Sequence, residues 1–153
     1  MKHLSPLVVC ERTGAWAVAL RAALGDAACL VYETRNFDDC RAALEAAPQG
    51  MAAIEAAAVD LEEMLSTVIE LSRHGAPVVV LAARQFLPHE TLFREAGAVQ
   101  VVYSRRQAPL AARLFLRRAA LAIPPSRPLP VEIWEHLPWP DARRPDAKGR
   151  DAD

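Results

Sequence analysis

The chain has 153 residues, 52% of them hydrophobic, and a formal net charge of −1. That length suits one domain with a full core, and so balanced a charge sets up no global field to collect nucleic acid or acidic substrates. Cys10, Cys29 and Cys40 are an odd set with no CxxC pair, which argues against a disulfide framework or a zinc site and fits a reducing cytosol.

The apolar run Leu7-Val8-Val9 is too short for a signal-peptide core. No apolar stretch approaches the roughly 18 residues needed to span a bilayer. The expected setting is cytoplasmic, with no membrane partner.

Pro6 to Cys10 reads as a buried strand. Trp16, Leu20, Ala23 and Leu24 then recur at helical spacing, and Gly25 ends that helix. Cys29 to Tyr32 predicts a second strand. Asp38 is placed to cap a helix running to Ala47 and closed by Pro48. Met51 to Ile54 predicts a third strand. Asp60 then stands as N-cap of a longer helix, with Glu62 and Glu63 favourably placed against its dipole. Its apolar stripe is Leu61, Met64, Leu65, Val68 and Leu71, and Gly75 stops it. Pro77 to Leu81 is a fourth strand, apolar on both faces. Pro88 to Ala96 predicts a short helix closed by Gly97, Val99 to Tyr103 a fifth strand, and Pro109 opens a last helix to about Ala122.

Five β-α units with apolar strands predict a parallel sheet covered on both faces. Right-handed crossovers leave few topologies, and five units of this size fit the flavodoxin-like strand order 2-1-3-4-5, a three-layer α/β sandwich. The domain spans residues 1–123. Residues 124–153 form a tail holding seven of the twelve prolines and two of the three tryptophans. From Asp141 onward the tail is charged, lacks apolar bulk and is expected to be disordered.

In such a sheet, ligands bind beyond the carboxyl ends of the strands, near the switch point between strands one and three. The residues expected there are Cys10, Glu11 and Arg12, then Glu55 to Ala57, Ala82 to Arg84, and Tyr103 to Arg105. This rim has no Gly-rich phosphate loop, nucleophile elbow or HExxH helix. His3, His74, His89 and His136 read as surface residues.

The segment Pro77-Val78-Val79-Val80-Leu81-Ala82-Ala83, followed by Glu95-Ala96-Gly97-Ala98 and the strand to Tyr103, resembles the receiver domain of bacterial response regulators. Leu7-Val8-Val9-Cys10-Glu11 resembles that family's start, and the likeness covers about residues 5–122. The resemblance implies a CheY-like fold. In active members an acid pair holds Mg²⁺, an aspartate is phosphorylated, and a hydroxyl and a lysine bind the phosphoryl oxygens. Here the acid pair falls on Cys10 and Glu11, the aspartate on Glu55, the hydroxyl on Ala82 and the lysine on Ser104. The loop Ala56-Ala57-Ala58-Val59 lacks the usual Pro and Gly. A degenerate, phosphorylation-independent module follows, with no catalytic residues, no metal and no cofactor. Glu11 and Glu55 are expected to be solvated rim carboxylates. Cys10 is expected to be a buried strand-end thiol, since no resolving cysteine or helix N-terminus is evident beside it.

Two surfaces remain. Arg105, Arg106, Arg113, Arg117 and Arg118 cluster in and before the last helix, with no acid between residues 96 and 131. They read as a solvated face or as a docking face for an acidic protein partner or a second copy, since receivers often pair through their fourth and fifth units. Nucleic acid is disfavoured, because no reading helix or aromatic platform accompanies the patch. In the tail, Ile133, Trp134, Leu137 and Trp139 lie among prolines that stiffen the chain. That segment either packs on its own domain or anchors a partner. The alternative function is a small-molecule or metal sensor using Glu11, Glu55, Arg84 and Arg105.

Overall fold

A computed structural model describes residues 5–27 and 29–121. The expectations for Ile133, Trp134, Leu137, Trp139 and the rest of the tail lie outside them, as do those for His3 and His136. The elements run β1 Pro6–Cys10, α1 Ala15–Leu24, β2 Leu30–Thr34, α2 Phe37–Ala46, β3 Met51–Glu55, α3 Leu61–Arg73, β4 Val78–Leu81, α4 Glu90–Ala96, β5 Ala98–Val102 and α5 Ala108–Leu121. All strand pairings are parallel, and the order is β2-β1-β3-β4-β5. This is the three-layer α/β sandwich that the alternation predicts.

The two core clusters follow from the strand period of two. Val8, Cys10, Ala52, Ile54, Val78 and Val80 face one layer, where Leu44, Met64, Val68 and Phe93 from α2, α3 and α4 cover them. Leu7, Val9, Met51, Ala53, Val79 and Leu81 face the other, against Trp16 and Leu20 of α1 and Phe115 of α5. The sheet therefore holds α1 and α5 on one side and α2 to α4 on the other.

Several boundaries differ from the sequence reading, each for a tertiary reason. β2 runs to Thr34 because it pairs with β1 along its whole length, ending with Cys10 opposite Thr34. Asn36, not Asp38, caps α2: its Oδ1 accepts the Asp39 amide at 2.7 Å, leaving Asp38 in the first turn. Asp60 stands at the N-cap position of α3 but makes no side-chain cap bond; its carboxylate is taken by Arg12. Pro88 lies in a 3₁₀ stretch over Arg84–His89, so α4 starts at Glu90. Pro109 is the second residue of α5, where a missing N–H costs no helical bond. β4 begins at Val78 and β5 shifts to Ala98–Val102, leaving Tyr103 just past the sheet.

Candidate functional site

Chain direction in a parallel sheet brings the ends of β1 and β3 side by side, with Cys10 paired to Ile54. The loops that follow them form a cleft of about 440 Å³ bordered by Cys10, Arg12, Arg35, Asn36, Glu55 and Asp60, among others. Glu11 also borders it. Ala82, Arg84, Ser104 and Arg105 do not. This cleft therefore gathers rim residues of the first and third strands and none of those after the fourth and fifth.

Glu11 is not a solvated carboxylate. It is only 2% exposed, and its two oxygens accept the Trp16 amide at 2.8 Å and the Ala17 amide at 2.6 Å. These are orphan donors of the first turn of α1, so the side chain is a charge-assisted cap supplied from beyond the helix. Gly14, at φ 86°, turns the chain between strand and helix, a conformation glycine adopts without steric cost.

Glu55 is half-buried and accepts the Arg12 backbone N–H at 2.8 Å. The Arg12 guanidinium pairs with Asp60 at 2.7 Å. Arg12 thus lies across the rim, tying the loop after β1 to the loop after β3. No fixed sequence spacing signals the Arg12–Asp60 pair, and the sequence reading missed it.

Ala82 is 1% exposed and offers only a methyl group; its N–H bonds to the Val102 carbonyl at 2.8 Å. The Ser104 hydroxyl accepts the Arg106 amide at 3.2 Å, capping the 3₁₀ turn before α5. Tyr103 donates its hydroxyl to Glu90 at 3.1 Å, and burial together with that bond raises its pKa. His89 is half-buried against Phe86 and Phe93 rather than a free surface histidine. His74 is exposed as expected. Among the described residues, no group of three or more His, Cys, Asp or Glu is placed to hold a metal ion.

Cys10 is a buried thiol at the end of β1, as expected. Its thiol lies 3.4 Å from the Asn36 carbonyl, at the start of α2, and that same carbonyl accepts the Cys40 amide at 3.3 Å. Cys40 is fully buried in the same cluster as Cys10. The neighbouring Cys40 pulls the Cys10 pKa down, while Cys40, beside Cys10 and more deeply buried, is pushed far up.

On α5 and the turn before it, Arg105, Arg106, Arg113 and Arg117 are exposed and have no ion-pair partner among the described residues. Arg118 is half-buried and reaches the Gly75 carbonyl at 3.4 Å. No described helix is long and apolar enough to cross a membrane.

No family profile and no curated protein matches the sequence. Solved structures do match. A CheY-like protein (tadZ) from Pseudomonas aeruginosa is similar with a TM-score of 0.62 at 18% identity, covering 74% of this chain and 98% of that one. The receiver domain of the TMAO respiratory system response regulator TorR gives 0.60 at 15%, covering 75% and 98%. A protein described as pilus assembly-related from Burkholderia pseudomallei gives 0.58 at 20%, covering 80% and 94%. At these identities the likeness is one of fold, and the fold is the CheY-like receiver fold.

Proposed function

On this receiver fold, we propose that the chain is a protein-interaction module that acts in signalling or regulation without phosphorylation and without catalysis. The observation that carries the reading is the internal use of the rim. Glu11 caps α1, Glu55 holds the Arg12 amide, Ala82 is a buried methyl and Ser104 caps a turn. Phosphoryl transfer depends on positioned charges that neutralise the transferring group, and these groups are otherwise engaged. Incubation with acetyl phosphate and Mg²⁺, read by intact mass, is expected to leave the protein unmodified. A stoichiometric acyl phosphate on Glu55 would overturn the reading.

The docking face in this reading is the basic side of α5, with Arg113 and Arg117 exposed on it and no acid on that helix. Unpaired surface guanidinium groups suit an acidic protein surface or a second copy. Sedimentation across concentration and salt tests the second copy. Self-association that weakens with salt and is lost in Arg113→Glu with Arg117→Glu supports it, and a monomer at every concentration removes it.

A further inference from the structure

We propose that Cys10 and Cys40 form a modification site: a peroxide-reactive dithiol that closes to an intramolecular disulfide. Three observations carry it. The two residues, thirty positions apart, lie in one buried cluster and perturb each other's titration. Both residues converge on one backbone oxygen, that of Asn36. Cys10 borders the rim cleft, whereas Cys40 is fully buried behind it.

The asymmetry assigns the roles. Cys10 is the sulfur that a small solute in the cleft can reach. Cys40 is the sulfur that can reach only Cys10. Thr34, paired opposite Cys10 across β1 and β2, donates its hydroxyl to the Val9 carbonyl at 3.5 Å. The Cys10 thiol donates to the Asn36 carbonyl. A thiol at the edge of a cleft, with a second thiol buried near it, is an arrangement in which oxidation ends in a disulfide.

The oxidant is a hydroperoxide. The Cys10 sulfur attacks its outer oxygen, the O–O bond breaks, and the rest leaves as water or an alcohol after taking a proton. Cys10 is then a sulfenic acid. The Cys40 sulfur attacks the Cys10 sulfur, the S–O bond breaks, and the hydroxyl leaves as water with the Cys40 proton. Two thiols and one hydroperoxide give one disulfide, one water and one water or alcohol.

The test treats the full chain, folded, with one to a few equivalents of hydrogen peroxide, followed by non-reducing peptide mapping. The expected product is about 2 Da lighter and carries a Cys10–Cys40 cross-link, with Cys29 still a free thiol. In Cys40→Ser, Cys10 is expected to accumulate as a sulfenic acid that dimedone captures. Oxidation at Cys29 first would overturn the proposal, as would a Cys10–Cys40 link that forms only after urea unfolding. The wild-type map decides the matter by itself should the Cys40→Ser protein fail to fold.

Discussion

The Glu11 carboxylate accepts the Trp16 amide at 2.8 Å while only 2% of the residue is exposed. An acid at the mouth of the sheet has become part of a helix start. Removing it leaves the Trp16 and Ala17 amides without an acceptor. Glu11→Ala is expected to cost about 2–3 kcal/mol, as a lost cap plus a buried unsatisfied donor. Glu11→Gln retains an acceptor oxygen and is expected to cost less than half of that. Urea unfolding at constant m-value checks both.

By the sequence resemblance, Glu55 falls at the position of the phosphorylated aspartate of receivers. Shortening it to Asp withdraws the carboxylate by about 1 Å from the Arg12 amide and repairs only one of the positions that differ. Glu55→Asp is therefore expected to remain unlabelled by acetyl phosphate, with Ala82 and Ser104 still in place. Labelling of this single variant would show that the rest of the site is competent.

Gly97 ends α4 at φ 113°, a region strained for any residue with a side chain, and a Cβ there would run into Ser72 of α3. Gly97→Ala is expected to destabilise by about 2–4 kcal/mol. Adding Ser72→Gly should recover the steric share and leave the backbone strain. A thermal or urea series on the two variants separates these contributions.

Glu33 lies between Arg35 and Arg21, and the hydrogen bonds from those guanidinium groups lower its pKa below 4.5. A carboxylate with a depressed folded pKa contributes stability above its unfolded value and loses it as pH falls through the folded one. Glu33→Gln should thus be less stable than the wild type at pH 7. The difference should shrink as pH drops below 4.5 and vanish under the folded value. With the side chain a quarter exposed, about 0.5–1 kcal/mol is expected, decreasing with salt. Unfolding curves between pH 7 and pH 2 measure it.

The sequence by itself determined the layering. Runs such as Val78 to Leu81 and the stripe Met64, Val68, Leu71 encode their structure in local periodicity, and Gly75 and Gly97 mark their ends through backbone freedom. It also showed that Ala82 has only a methyl group to offer, and the structure buries it. The tertiary structure decided what the remaining polar groups do. Glu11 looked free because nothing within a few residues demands a carboxylate; it is buried because the turn at Gly14 folds α1 back over it. Cys10 and Cys40 looked unrelated because no local pattern links a strand end to a helix turn thirty residues away. Packing α2 against β1 closed that distance. Hydrogen bonds and thiol contacts act over a few ångströms of space, whatever the separation along the chain, so the partners of Glu11, Arg12 and Cys10 became visible only in the fold.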